Sequence, residues 1–285
     1  MVNRVQDKVA LVTGAARGQG RSHAVKLAEE GADLILFDVC HDIEHNGYSM
    51  ATPRDLEEAQ REVEKTGQRA VSFQVDVRDR VALTNALHEA IKEFGHLDIV
   101  VANAGICPLG THLPLEAFAT AFDVDFIGVV NTVHAALPHL RDGASVITIG
   151  SIAAILAEKA GPTANVGPQG TGGTGYNLAK QFIDRYTFTL ASQLAPRSIR
   201  ANVVHPTNCN TDMLHHEAMY KIFRPDLDHP SRDDAMLSLP LLQSMPVPFI
   251  EPDDVSNAVC FLASDESRFV TGMRFTVDAG ACLKV

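Results

Sequence analysis

The chain has 285 residues, of which 46% are hydrophobic and 21% charged, the composition of an ordinary globular protein with a sizeable core. Its formal net charge is −11 and it contains no run of Lys and Arg, so nucleic acid and anionic membrane surfaces are disfavoured as partners. The first apolar stretch, residues 9–13, is too short for a signal peptide or a membrane-spanning helix, and we expect a cytoplasmic protein.

Short runs of β-branched residues alternate with longer amphipathic stretches along the chain. The runs predicted as buried strands are residues 9–13, 33–37, 70–75, 99–102, 145–149 and 199–205. The stretches with helical periodicity are residues 20–30, 53–65, 80–94, 115–139 and 176–194. This alternation, with no linker in it, predicts the α/β class: a single-domain Rossmann fold over residues 1–285, with a doubly wound parallel sheet and helices on both faces.

Three segments interrupt the alternation. Residues 40–53 make an unusually long connection after the second strand, and residues 157–174, rich in Gly, Pro and Thr, are predicted to be a loop. Residues 207–252 combine prolines with large apolar side chains and are predicted to form a lid over a substrate, although subunit packing would also explain the later half. Inserts at strand ends are where such folds place ligand contacts.

A glycine-rich loop joins the first strand to the first helix. Gly14, Gly18 and Gly20 would let the backbone approach a pyrophosphate at the helix N-terminus; without that context they would indicate only a tight turn. Asp38, about twenty residues further on, could accept hydrogen bonds from a ribose diol or simply cap its strand. Arg17 could instead attract a 2′-phosphate. The place of Asp38 at the strand end favours NAD over NADP.

Tyr176 and Lys180 are four residues apart on a predicted helix, so their side chains lie on one face. A neighbouring ammonium lowers the pKa of a phenol, which would let Tyr176 exchange a proton near neutral pH. Ser151 follows the fifth strand and could hydrogen-bond a substrate oxygen at the same edge of the sheet. Taken singly, a surface pair and a helix cap would explain these residues. Their joint placement favours a catalytic site.

Cysteine and histidine patterns give no sign of other chemistry. The five cysteines are scattered without a CxxC pair, and we expect them to be packing residues without disulfides. The twelve histidines include no HExxH motif, and we expect no metal site.

Taken together, these motifs resemble the short-chain dehydrogenase/reductase family over nearly the whole chain. The motifs are Thr13-Gly14-x3-Gly18-x-Gly20, Asp76-Val77, Asn103-Ala104-Gly105, Ser151, Tyr176-x3-Lys180, and Pro206 with Thr211. The resemblance implies that the catalytic residues are Ser151, Tyr176, Lys180 and Asp125. It implies that the cofactor-binding residues are Gly14, Arg17, Gly18, Gln19, Gly20, Asp38, Val39, Cys40, Asp76, Val77, Asn103, Ala104, Gly105, Tyr176, Lys180, Pro206, Thr207, Asn208, Thr211 and Met213.

Within the family, the resemblance also assigns roles. Tyr176 would be the acid/base, Ser151 would orient the carbonyl, and Lys180 would bind the nicotinamide ribose and lower the pKa of the tyrosine. Asp38 would hold the adenosine ribose. The family is also associated with homotetramers built through two helices and a C-terminal segment, here residues 275–285.

More narrowly, the chain resembles the mycofactocin-associated, carveol-dehydrogenase-like branch. It shares the sequence Gly-Ala-Ala-Arg-Gly-Gln-Gly-Arg-Ser-His over residues 14–23 and an insert ending Ala51-Thr52-Pro53. In that branch the insert is thought to cover the adenosine and retain NAD between turnovers. Electrons would then leave through a mycofactocin-type, peptide-derived redox carrier.

The chain departs from the family pattern at two places. Asp125, in the sequence Val124-Asp125-Phe126-Ile127-Gly128, stands where the family usually has an asparagine, so the water relay behind the lysine lacks its amide donor. The spacer from Ser151 to Tyr176 is also long and must loop out.

The sequence therefore predicts an NAD-dependent oxidoreductase that transfers a hydride between nicotinamide and a lipophilic secondary alcohol or ketone, of terpenoid or carveol type. The apolar side chains within residues 207–252 favour such a substrate. Two alternatives remain open at this point. One is an NADP-dependent carbonyl reductase, and the other is an NAD-binding sensor protein with weak catalysis, which Asp125 would indicate.

Overall fold

The computed structural model describes residues 3–160 and 169–284. Its strands are β1 (Val9–Thr13), β2 (Asp33–Asp38), β3 (Ala70–Gln74), β4 (Leu97–Ala102), β5 (Leu140–Ile149), β6 (Arg200–Pro206) and β7 (Arg274–Val277). They form one sheet in the order β3-β2-β1-β4-β5-β6-β7, and every pair of neighbours is parallel. The predicted doubly wound parallel sheet is confirmed.

The helices are α1 (Gly18–Glu29), α2 (Pro53–Lys65), α3 (Arg80–Phe94), α4 (Glu116–Phe122), α5 (Gly128–Ala136), α6 (Ile152–Ala160), α7 (Gly170–Leu194), α8 (Glu217–Phe223), α9 (Arg232–Met236) and α10 (Pro252–Ala263). Helices α1, α2 and α10 pack on one face of the sheet, and α3, α5 and α7 pack on the other. The alternation of side chains along a strand explains both layers: Leu34 and Leu36 point to the first face, Ile35 and Phe37 to the second.

Two predictions about helices need correction. The predicted loop over residues 157–174 is wrong at both ends, because α6 runs to Ala160 and α7 begins at Gly170; its centre, residues 161–168, lies outside the described residues. Glycines favour a loop by propensity, but here they let α7 touch neighbouring backbone. A Cβ at Gly172 would overlap the Pro108 carbonyl oxygen, and one at Gly175 would overlap that of Phe118.

The helix predicted over residues 115–139 contains an interruption. A π-helical segment, Asp123–Ile127, lies between α4 and α5. Such single-turn insertions widen the helix and often occur at functional sites. This one contains Asp125, whose side chain is fully buried.

The parallel sheet brings the ends of distant strands to one edge. Gly14 follows β1, Asp38 ends β2, Asn103 follows β4 and Ser151 lies two residues after β5. The sheet order changes direction between β1 and β4, and in open α/β sheets ligands bind in the crevice at such a switch point.

Candidate active site

A groove of about 1020 Å³, including its open mouth, lies over the glycine-rich loop. Gly14 and Gly18 have φ values of +67° and +55°, which other residues rarely adopt. A Cβ at Gly20 would overlap the Gly14 carbonyl oxygen. Asn103 ties the loop to β4, since its Nδ2 donates to the Thr13 carbonyl at 2.9 Å. The loop therefore presents bare backbone at the start of α1, as an anion-binding turn requires.

Asp38, at the end of β2, lines this groove and is held by two backbone donors. Ala16 N–H donates to Asp38 Oδ2 at 2.9 Å, and Cys40 N–H donates to Oδ1 at 3.1 Å. The Arg17 guanidinium pairs with Asp212 at 3.0 Å and lies 5.6 Å from the centre of the Tyr48 ring. The Arg17 guanidinium is therefore already paired with a carboxylate, which disfavours its use in binding a 2′-phosphate.

Most of the residues predicted to bind the cofactor line this groove. They are Gly14, Arg17, Gly18, Gln19, Gly20, Asp38, Val39, Asp76, Val77, Asn103, Ala104, Gly105, Tyr176, Lys180, Thr211 and Met213. Pro206, Thr207 and Asn208 line a neighbouring cavity. Cys40 lines neither cavity, because a left-handed turn with φ of 52° leaves its side chain buried in the core.

The insert between β2 and α2 lies against the groove. Ile43, Tyr48 and Met50 line it, and the sequence pattern did not single out any of them. The Tyr48 phenol reaches the backbone of Cys107, and its ring lies 5.0 Å from that of His216, which follows β6. Two segments far apart in the sequence thus meet across the nucleotide groove.

Tyr176 and Ser151 lie together where the two cavities join. The Ser151 side chain hydrogen-bonds with the Tyr176 phenol, and its Oγ also accepts from Ala153 N–H at 3.2 Å at the start of α6. Tyr176 lines both cavities, whereas Ser151 lines the second alone. Ser151 therefore contacts Tyr176, as the catalytic hypothesis requires, and it also caps α6, as the alternative interpretation predicted.

Lys180 is buried behind the tyrosine ring. Its Nζ lies 5.4 Å from the centre of the Tyr176 ring, donates to the Ile149 carbonyl at 3.1 Å and lies 3.2 Å from Asp125 Oδ1. Asp125 Oδ2 accepts from Ile106 N–H at 3.3 Å. Burial raises the pKa of Asp125 to about 6, against the opposing effect of Lys180. Asp125 lines neither cavity, and its carboxylate contacts Lys180 and the Ile106 backbone instead.

The expected lowering of the Tyr176 pKa is not observed. Burial raises the pKa of Tyr176 well above its ordinary value, and neighbouring Cys107 and Asp125 add to the increase, while the hydrogen bond with Ser151 opposes it. The physical reason is that the fold buries the phenol, which disfavours its charged form, and the nearby Asp125 carboxylate adds to this effect.

The second cavity, of about 1070 Å³, extends from Tyr176 beneath the segment after β6. It shares Gln19, Gly150, Tyr176, Thr211 and Met213 with the nucleotide groove, so the two spaces are contiguous. Its apolar lining consists of Leu109, Ile152, Leu156, Met213, Leu214, Met219, Ile222, Phe223 and Leu242. The first half of the predicted lid contributes most of these side chains.

Among the described residues, no group of three or more His, Cys, Asp or Glu side chains is arranged to hold a metal ion. Within the same residues, no helix has the length and apolar character needed to cross a membrane. The five cysteines are unpaired, and four of them are buried.

Comparison with known proteins gives full-length matches. A family model described as enoyl-(acyl carrier protein) reductase matches residues 14–282. A putative short-chain type dehydrogenase/reductase of Mycolicibacterium smegmatis is 46% identical and covers 100% of both chains. The (−)-trans-carveol dehydrogenase of Rhodococcus erythropolis is 40% identical over 99% of both. The crystal structure of carveol dehydrogenase from Mycobacterium avium in complex with NAD superimposes with a TM-score of 0.90, at 40% identity, over 98% of this chain and 99% of that one.

Proposed function

The chain belongs to the short-chain dehydrogenase/reductase family, and from that membership we propose that it oxidises lipophilic secondary alcohols to ketones. It is an oxidoreductase that acts on CH–OH groups, and its cofactor is NAD. The proposal rests on one observation: the paired hydroxyls of Ser151 and Tyr176 lie where a nucleotide groove opens into an apolar cavity.

The residues of the groove fit a nicotinamide dinucleotide. The glycine loop leaves room for the pyrophosphate, and the Asp38 carboxylate lies where the adenosine ribose would be held. Gln19 lines both the groove and the second cavity, Asn208 lines the second cavity, and the Gln19 Oε1 acceptor and the Asn208 Nδ2 donor are buried without hydrogen-bond partners. An acceptor and a donor are what a carboxamide needs, so these two side chains would hold that of the nicotinamide. When bound, NAD supplies the hydride acceptor.

In the proposed reaction, Tyr176 first loses its phenol proton to solvent; Ser151 and the Tyr176 phenolate then hold the alcohol oxygen, and the phenolate accepts the alcohol proton as the hydride leaves the carbon. Lys180 would bind the nicotinamide ribose and would stabilise the tyrosinate. Asp125 holds Lys180 in place through its contact at 3.2 Å. Ser151, Tyr176 and Lys180 are thus proposed as catalytic residues, and Asp125 as a positioning residue.

The lining of the second cavity supports the proposed substrate class. Leu, Ile, Met and Phe side chains surround it, with Gln169 and Asn177 as a hydrogen-bonded polar pair at 2.7 Å. An alcohol with a bulky hydrocarbon body, such as a cyclic terpenoid of carveol type, buries apolar surface there while its hydroxyl reaches Tyr176.

The same proposal includes retention of NAD between turnovers. The insert reaches over the groove through Tyr48 and Met50, and Arg17 links it to the far wall through Asp212. A nucleotide beneath these contacts would leave only when they break. Reoxidation would then need an external mycofactocin-type carrier. Mass spectrometry of the nucleotide that copurifies with the protein tests whether NAD is retained. Exchange of that bound nucleotide with added NAD within seconds would contradict retention.

Quaternary structure and location complete the proposal. Phe182 and Phe188 on α7 are 46% and 68% exposed, although a monomer would gain by covering them. We therefore place a subunit interface on α7, in a homotetramer that works in the cytoplasm. A molar mass by light scattering that corresponds to a monomer would contradict the proposed tetramer.

The decisive experiment replaces the proposed acid/base. Tyr176→Phe should abolish alcohol oxidation, followed at 340 nm with a panel of cyclic secondary alcohols, and leave NAD affinity unchanged. Tyr186→Phe is the matched control, because Tyr186 lies on the same helix and its buried hydroxyl has no hydrogen-bond partner. Activity retained in Tyr176→Phe, or lost equally in both variants, would refute the assignment.

A further inference from the structure

A histidine behind the active site contacts the backbone of Ser151. His205 is the penultimate residue of β6, before Pro206, and is fully buried. Its Nδ1 lies 2.8 Å from the Ser151 carbonyl oxygen and 3.1 Å from the Ser151 amide nitrogen. Whether that nitrogen carries a proton or a lone pair, it therefore has a partner in the peptide groups of Ser151. One imidazole fixes the main chain of the serine on both sides.

The other side of the ring faces a buried carboxylate. His205 Nε2 lies 2.7 Å from Asp184 Oδ1, and Asp184 is only 5% exposed. The second oxygen of Asp184 lies 3.1 Å from Arg274 Nε on β7. Arg274 Nη1 in turn donates to Glu158 on α6 at 2.9 Å. These contacts form a continuous chain from Ser151 to Glu158.

This chain begins and ends on the same short helix. Ser151 caps the N-terminus of α6 through Ala153, and Glu158 lies near its C-terminus. Helix α6 also supplies Ile152 and Leu156 to the wall of the substrate cavity. Both ends of that wall are therefore tied to the sheet through His205 and Arg274.

The sequence accommodates this arrangement at two further positions. Asp184 comes four residues after Lys180 and eight after Tyr176, so one face of α7 carries the phenol, the ammonium and the carboxylate. Gly150 leaves space for the imidazole, because a Cβ there would lie 2.6 Å from His205 Cε1. No larger residue fits at that position without moving the histidine.

We propose that His205, Asp184 and Arg274 are positioning residues that hold Ser151, and with it α6, in the geometry needed to bind the alcohol oxygen. The inference rests on the proposed function, because that function assigns the alcohol oxygen to Ser151. None of the three residues lines the nucleotide groove, so their loss should change alcohol turnover and not NAD affinity.

The first test compares variants of graded severity. Asp184→Asn and His205→Leu should lower kcat/KM for the alcohol by about tenfold to hundredfold, because a small displacement of a catalytic group costs that much. His205→Asn should recover part of the loss, since its amide can still reach the Ser151 backbone. NAD affinity, measured by fluorescence titration, should stay within about twofold of wild type, a change below about 0.4 kcal/mol. A parallel fall in NAD affinity would overturn the proposal.

Arg274→Gln provides a variant that does not disturb the core. Arg274 is 45% exposed, and Arg197, paired with Asp142 at 2.8 Å, is a matched control with the same exposure. Arg274→Gln should lower kcat/KM by about threefold to tenfold, a smaller loss because Arg274 reaches Ser151 only through Asp184 and His205. Arg197→Gln should leave it unchanged. Equal activity of the two variants would overturn the role of Arg274.

A double-mutant cycle separates positioning of the serine from general damage. If His205 acts through Ser151, adding His205→Leu to Ser151→Ala should cost little more than Ser151→Ala alone. Fully additive losses would overturn the inference. A wild-type protein without alcohol dehydrogenase activity would instead refute the proposed function. A normal Asp184→Asn beside an impaired Ser151→Ala would refute the positioning role alone.

Discussion

Asp125 should make the protein less stable at neutral pH than its asparagine variant. The pKa of this carboxyl rises from 3.8 to about 6 on folding, chiefly through burial. The folded protein therefore holds the proton more tightly than the unfolded chain. The stabilisation of the folded state by the protonated Asp125 carboxyl is fully present below about pH 4 and is lost as the pH rises through about 6. Asp125→Asn keeps the shape of the side chain and removes the ionisation.

The magnitude follows from this difference. At about 1.4 kcal/mol per pH unit, ionised Asp125 costs about 3 kcal/mol in the folded state. Asparagine has one acceptor oxygen, whereas Asp125 serves both Lys180 Nζ and Ile106 N–H, so the variant loses about 1 kcal/mol of hydrogen bonding. From the pKa difference and this loss alone, Asp125→Asn should therefore be more stable than wild type by about 2 kcal/mol at pH 7.

Urea unfolding followed by circular dichroism, at one protein concentration and at several values between pH 4 and pH 8, measures the difference. The advantage of Asp125→Asn should shrink towards pH 4. Asp123→Asn is the control, because Asp123 is an exposed carboxylate in the same π-helical segment. A variant less stable than wild type at pH 7, or a gap that persists at pH 4, would show that the ion pair with Lys180 outweighs burial.

Three further predictions concern the cofactor and catalysis. Asp125→Asn should also shift the pH profile of kcat to lower pH, because Asp125 raises the pKa of Tyr176; an unchanged profile would exclude the coupling. Asp38→Asn should reduce the preference for NAD over NADP about tenfold in calorimetric titrations, since a carboxylate is replaced by a neutral amide. Gly20→Ala should abolish NAD binding, because its Cβ would overlap the carbonyl of the first loop glycine, whereas Gly67→Ala, with open space around it, should cost about 1–2 kcal/mol of stability and leave binding intact.

The proposed catalytic pair and the proposed nucleotide-binding loop could be named from the sequence because their spacing is local. Tyr176 and Lys180 share a helix face, and the glycine loop joins a strand to the next helix. The supporting residues gave no such signal. His205 and Asp184 are ordinary members of a strand and a helix, and only the packing of α7 against β6 brings them to 2.7 Å.

Electrostatics was the property that the sequence predicted least well. The lysine beside Tyr176 suggested a lowered pKa, but the pKa is raised. The outcome depends on how much water the fold removes and on Asp125, which lies 3.2 Å from the lysine although it is 55 residues away in sequence. Burial and long-range charge pairing are properties of the folded state, so local spacing does not reveal them.

The sequence by itself determined six of the seven strands, the order of strands and helices, and the residues at the strand ends, because hydrophobic periodicity and turn residues act over a few positions. Only the tertiary structure decided where α7 begins and that β7 completes the sheet. Glycine disfavours a helix by itself, yet α7 starts at Gly170 because its glycines allow close contact with the backbone of Pro108 and Phe118. Strand β7 has four residues, none of them fully buried, and gains its order from pairing with β6.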